Sequence, residues 1–159
     1  MTDRRRRIRL FVDADGCPVV SAAIGVARGR RVPAVLVGND TQNLRRLAGR
    51  DGVEVIEVGQ GRDAADFRII TEAEEGDVVV TGDTGLAAMG LGKGLRVLDF
   101  RGRRFDLATI DMRLEVRHVE RKLRRGGAKT KGPSGFQDED RERFVAALKR
   151  LLDEARGGS

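Results

Sequence analysis

Five aspartates in the first half of the chain have the type and spacing to do chemistry: Asp13 and Asp15, Asp63 and Asp66, and Asp83. Asp13 and Asp15 are two apart, so an extended backbone points both to one side. Asp63 and Asp66 are three apart and occupy neighbouring positions on one helical face. Carboxylates brought together repel, and a hard divalent cation offsets that repulsion, since Mg²⁺ and Mn²⁺ prefer oxygen ligands. A site of this kind activates a water and neutralises charge at a phosphate. Asp13, Asp15 and Asp83 are the candidate catalytic set. The structural reading is capping, because aspartate at a helix N-terminus accepts hydrogen bonds from free backbone N–H groups. Capping competes most strongly at Asp63.

The elements that must position these acids alternate along the chain. Apolar runs at Ile8–Val12, Ala34–Val37, Val53–Val58, Val78–Thr81 and Leu95–Leu98 read as five short strands. Helical patterns separate them: one from Pro18 to Arg28, a short one over Thr41–Ala48, one over Ala64–Glu74 opened by Asp63, and one over Leu86–Leu91. Strands rich in Val, Ile and Leu that alternate with helices predict a parallel sheet covered on both faces. In such sheets ligands bind beyond the carboxyl ends of the strands, where strand order reverses. Asp13, Asp15 and Asp83 follow strands one and four, and an order of 3-2-1-4-5 would make those two strands neighbours.

After Asp99 the alternation stops. Phe100–Phe105 predicts a small hairpin, followed by helices over Ile110–Arg125 and Asp138–Arg156 with a glycine-rich basic loop, residues 126–135, between them. Each helix has an apolar seam: Met112, Val116, Val119 and Leu123 on the first, and Phe144, Leu148, Leu151, Leu152 and Ala155 on the second. The expectation is that both seams pack on the sheet or on each other. The expected organisation is a basic tail over residues 1–7 and one α/β domain over residues 8–156.

With 159 residues, 40% hydrophobic and 35% charged, the composition is that of a globular chain and not a disordered one. No apolar run approaches membrane-spanning length. A single cysteine, Cys17, permits neither an internal disulfide nor a thiolate metal cluster, and a reducing, cytoplasmic setting is the natural expectation. Cys17 itself reads as a buried structural residue.

The net charge of +6 is concentrated in two places. Residues 4–9 hold five arginines, and residues 117–131 hold seven Lys or Arg against Glu120 alone, leaving the rest of the chain net acidic. Arg113, Arg117, Arg121 and Arg124 form a stripe that runs on towards Lys129 and Lys131. An acidic body with basic segments points to an anionic partner, nucleic acid first, with Arg117, Arg121, Arg124, Lys129 and Lys131 as its candidate contacts. A solvated surface is the competing reading. Six Phe and no Trp or Tyr leave little for base stacking, so binding should be electrostatic and salt-dependent.

The string Phe11-Val-Asp13-Ala-Asp15-Gly-Cys17-Pro18 resembles the opening motif of the YaiI/YqxD family of bacterial proteins, of PIN-like fold. Gly61-Arg-Asp63-Ala-Ala-Asp66 and Val80-Thr81-Gly82-Asp83-Thr84-Gly-Leu86-Ala87 are similar to two further blocks of that family, and Gly126, Gly127, Gly132 and Pro133 to its tail. Phe67 stands where the family often has Asn. The resemblance implies a three-layer, Rossmann-like domain. It also implies a metal-dependent ribonuclease in which Asp13, Asp63, Asp66 and Asp83 bind Mg²⁺ or Mn²⁺. Asp15, Thr81, Thr84 and Asn39 would then be secondary polar contacts. RNA is favoured over DNA on the same ground, and a homodimer is a further expectation.

Two alternatives stand beside this reading. Asp13-x-Asp15-Gly also resembles the first motif of haloacid-dehalogenase phosphatases, although those place a Lys between their motifs and this chain has none before Lys93. The other is a nucleic-acid-binding module that does not catalyse. Gly90-Leu-Gly92-Lys93 lacks the spacing of a phosphate-binding loop. His118, the one histidine, lies off the apolar seam and reads as a surface or anion-contacting residue.

Overall fold

The computed structural model describes residues 7–39, 44–47, 49–61, 63–125, 127 and 135–157. Five strands, β1 (Leu10–Asp13), β2 (Ala34–Gly38), β3 (Val53–Glu57), β4 (Val78–Val80) and β5 (Arg96–Leu98), form an all-parallel sheet in the order β3-β2-β1-β4-β5. The helices are α1 (Val20–Gly29), α2 (Ala64–Glu72), α3 (Thr84–Gly92), α4 (Leu107–Arg125) and α5 (Asp138–Ala155). The expected strand order is the observed one. Half of the expected helix over residues 41–48, namely 41–43 and 48, lies outside the described residues, as do residues 1–6 of the basic tail. Arg9 is no part of a tail. Its backbone N–H and guanidinium engage buried Asp77 and the Glu72 carbonyl at the start of the sheet.

Successive side chains of a strand point to opposite faces, and β1 feeds two cores in that way. Leu10 and Val12 join Leu36, Val78 and Val80 under α1 and α5, where Ile24, Ala27, Phe144, Leu148 and Leu152 are buried. Phe11 joins Val35, Val37, Val79 and Val97 on the other side, under Ile69 of α2 and Leu86 and Ala87 of α3. Connections between parallel strands are right-handed. The chain therefore moves from β1 to β2 with its helix on one face, and from β3 to β5 with its helices on the other. The direction changes between β1 and β4, which opens a crevice at their carboxyl ends.

Helix α3 forms despite three glycines among its nine residues. A Cβ on Gly90 would lie 3.1 Å from Val97, so the missing side chain lets the helix press onto the sheet. The expected hairpin after Asp99 is a tight turn closed by a single antiparallel bridge between Leu98 and Arg104. Gly102, at φ +86°, turns against α5, where any Cβ would stand 2.6 Å from the Arg143 carbonyl.

One expectation fails. The α5 seam packs on the core as predicted, buried at Phe144, Leu148, Leu151 and Leu152 and half-buried at Ala155, but Met112, Val116, Val119 and Leu123 of α4 are 69%, 54%, 49% and 46% exposed. Ile110, on the opposite side of that helix, makes the contact with the body beside Phe105. Spacing alone identifies an apolar face and not what, if anything, covers it. Among the described residues no helix is long and apolar enough to cross a membrane.

Candidate functional site

Asp13 is the last residue of β1, and Thr81 follows β4, its neighbour in the sheet. The buried Thr81 hydroxyl donates to Asp13 Oδ2 at 2.8 Å and accepts from the Asp83 backbone N–H at 3.0 Å. Asp83 caps α3, its Oδ1 accepting from the Leu86 N–H at 3.0 Å. The two strand ends are thus joined by a chain of hydrogen bonds running from Asp13 through Thr81 to Asp83. Thr81 leaves Asp13 Oδ1 without a hydrogen bond among the described residues.

Asp15 lies in the turn after β1, where Gly16 takes φ +68°. Both of its carboxylate oxygens accept from the Asn39 backbone N–H, each at 2.9 Å. Gly38, the last residue of β2, makes this possible: a Cβ there would stand 2.7 Å from Asp15 Oδ1. Asp66, in the first turn of α2, is half-buried on the far side of the same cleft. The cleft, of 270 Å³, is lined by Asp13, Asp15, Asn39, Asp66 and Asp83 together with residues 58–61 and Ala65, and by no Lys or Arg among the described residues.

Electrostatics follow from that composition. Burial raises the Asp13 carboxyl above its ordinary value, the Thr81 hydrogen bond opposes this, and the charges of Asp15 and Asp83 push it further up. Burial also pushes Asp66 up, to about 6, with added repulsion from Asp83, Asp13 and Asp63. The acids therefore share one negative field. Among the described residues, no three His, Cys, Asp or Glu side chains are gathered closely enough to hold a metal ion. The donors are nonetheless all carboxylate oxygens whose charges push the Asp13 and Asp66 carboxyls up, the chemistry that suits a hard divalent cation.

The expected site residues divide into three groups. Asp13, Asp15, Asp66 and Asp83 meet in the cleft with Thr81 behind them, and Thr84 is buried as the first residue of α3. Asp63 does not line it. It is exposed at the start of α2 and makes no side-chain cap bond, so the capping role expected there belongs to Asp83. Asn39 contributes through its backbone N–H.

The proposed nucleic-acid contacts are only partly visible. Arg121 is exposed on α4, Lys129 and Lys131 lie outside the described residues, and so do the side chains of Arg117 and Arg124. His118 is exposed on the same helix. Cys17 is half-buried, and burial pushes its thiol up to about 12, against a backbone hydrogen bond from Val19 and with the Asp13 charge adding to the rise. A shift in that direction disfavours the nucleophilic thiolate at neutral pH. Gln60 and Gly38 escaped the sequence reading. The Gly-Asn pair at the end of strand two was the available signal for Gly38.

A profile of the YaiI/YqxD family, described as uncharacterised, matches residues 11–154. Relatives named UPF0178 proteins are similar over nearly their whole length. One from Clostridium acetobutylicum is 42% identical over 147 residues, covering 91% of this chain and 97% of its own. One from Exiguobacterium sibiricum is 40% identical over 147 residues, covering 92% and 98%. One from Bacillus thuringiensis is 38% identical over 145 residues, covering 91% and 99%. No solved structure matches the chain. With matches at this identity spanning the sheet and every cleft aspartate, the chain belongs to the YaiI/YqxD family.

Proposed function

We propose that this chain is a Mg²⁺- or Mn²⁺-dependent phosphodiesterase acting on RNA. The observation that carries the reading is the meeting of Asp13, Asp15, Asp66 and Asp83 in one cleft at the strand-order reversal, without a cation from the described part of the chain. Asp13, Asp66 and Asp83 would hold the divalent ion after drawing closer together than they stand in this structure, and Asp63 adds charge near Asp66 without lining the cleft. A bound cation supplies charge neutralisation at the phosphate and lowers the pKa of a water.

The chain's own residues do the positioning. Thr81 fixes the Asp13 carboxylate, the α3 cap fixes Asp83, and the Asn39 N–H fixes Asp15. The basic residues of α4 and the following loop would hold the RNA backbone through its phosphates. The choice of RNA rests on the resemblance to PIN-like ribonucleases. The phosphatase alternative is weaker, because it needs a lysine at the carboxylates and none of the described lining residues is one.

The non-catalytic reading draws support from the absence of a closed three-ligand cluster among the described residues. One variant separates the two. Asp83→Asn keeps a side chain able to cap α3, since Asn caps as well as Asp, but removes a charge from the cleft. Manganese-dependent cleavage of a fluorescent RNA should fall by about 100-fold or more, in line with the loss of a single charge-stabilising group. Retention of the same RNA on a filter should be equal or stronger. A wild-type chain that retains RNA but cleaves neither RNA nor DNA would establish the binder instead.

A further inference from the structure

Four of the seven large apolar side chains exposed among the described residues lie on one face of α4: Met112, Val116, Val119 and Leu123. Helix α4 runs for 19 residues, about 28 Å at 1.5 Å per residue. Ile110 is its one buried residue among those described, and beyond it the described side chains are exposed apart from half-buried Glu120. A helix held at its base, carrying an apolar stripe among charges, gains little from its own chain and is marginal in water.

Among the described residues nothing covers that stripe. The segments outside the described residues (1–6, 40–43, 48, 62, 126, 128–134 and 158–159) contain no large apolar residue except Met1. A second copy of this chain supplies a matching cover, because the sequence of α4 fits itself. Its seam steps by 4, 3 and 4, a pattern unchanged when read backwards. A twofold axis crossing the helix midway between positions 117 and 118 brings Met112 to Leu123 of the partner subunit, and Val116 to Val119 of the partner subunit.

Charge fixes the direction of the pairing. Glu115 and Lys122, both exposed, flank the seam on one side, seven residues apart. Antiparallel pairing sets Glu115 beside Lys122 of the partner subunit and repeats that contact by symmetry. Parallel pairing would set Glu115 beside Glu120 of the partner subunit, like charge against like.

We propose that the chain forms a twofold-symmetric dimer through antiparallel pairing of α4 along Met112, Val116, Val119 and Leu123, with Glu115 and Lys122 setting the register. The dimer is independent of the phosphodiesterase reading and survives its failure.

Sedimentation of the full chain tests it, together with Glu115→Lys, Lys122→Glu and the double exchange. The wild type should be dimeric and dissociate on dilution. Each single exchange sets two like-charged pairs across the axis and should weaken dimerisation by about tenfold or more. The double exchange restores opposite charges and should recover dimerisation to near wild type. Both substitutions fall on exposed positions, so an unchanged circular-dichroism spectrum separates lost dimerisation from lost folding. A wild type that stays monomeric up to about 100 μM, well above the range in which specific dimers form, would overturn the proposal. So would a dimer indifferent to both single exchanges, or a double exchange as monomeric as either single one.

Discussion

Thr81 and Gly38 do as much for the cleft as the acids they serve, one by donating to Asp13 and the other by leaving room for Asp15. The aspartates were legible because two- and three-residue spacings after apolar runs have few other uses. Their supports were not, because a threonine's partner or a glycine's neighbour is fixed only when β1, β2 and β4 lie side by side. The capping role passed from Asp63 to Asp83 for the same reason: both precede helices, and only tertiary placement decides which carboxylate turns back to cap.

Asp66 carries a pH signature of its own. Its folded-state carboxyl, at about 6, lies above the ordinary 3.8, so the folded chain binds the extra proton between those values. Stability from this group is present at low pH and is lost as pH rises through 6. Asp66→Asn should therefore raise the thermal midpoint at pH 7.5. For a half-exposed group discounted for solvent screening the gain is on the order of 1 kcal/mol, or about 2–4 °C. At pH 4 the variant and wild type should unfold together.

At the scale of elements, α4 and α5 look alike in sequence and differ in what covers them. Both are long, charged and striped with apolar residues, yet the α5 stripe lies under β1, β4 and α1 while the α4 stripe faces outward. Periodicity reports that a face is apolar; only the count of available surfaces reports whether it is used within the chain. Leu148→Ala should cost about 2–5 kcal/mol in urea denaturation, the usual range for a large side chain deleted from a packed core. Val119→Ala should leave stability within about 0.5 kcal/mol in dilute solution. Its cost should grow with protein concentration, as expected if the side chain is buried only between subunits. The five strands, by contrast, were readable to within two residues: β1, β2 and β4 are nearly continuous buried apolar runs, while β3, at the sheet edge, sets half-buried Val and Ile beside exposed Glu54 and Glu57.

For the whole molecule, the separation of charge is the dominant feature: an acidic cleft at the sheet's carboxyl edge, and basic residues on the helix and loop that follow β5. An RNA lying across both would meet repulsion at its phosphates where no cation stands, and attraction from α4. Its affinity should therefore fall with salt along a log–log slope set by the number of Lys and Arg contacts. Removing one of them, Arg121→Ala, should lower that slope by about 1. An unchanged slope in filter-binding titrations would take Arg121 out of the contact.

The sheet order also gives the cleft two walls of unequal stiffness. On one side stand β1 and β4, the middle of the sheet, every residue of them buried except Asp13 and hydrogen-bonded to neighbours on both flanks. On the other stand residues 58–61, outside any strand or helix and largely open to water. The amide hydrogens of Phe11 and Val79 should leave only when the entire molecule unfolds, while those of Gly59 and Gln60 are lost at once. Whatever enters meets a fixed anvil bearing Asp13 and a yielding jaw beside Asp66, so differences in the size of the guest are absorbed on the Asp66 side alone.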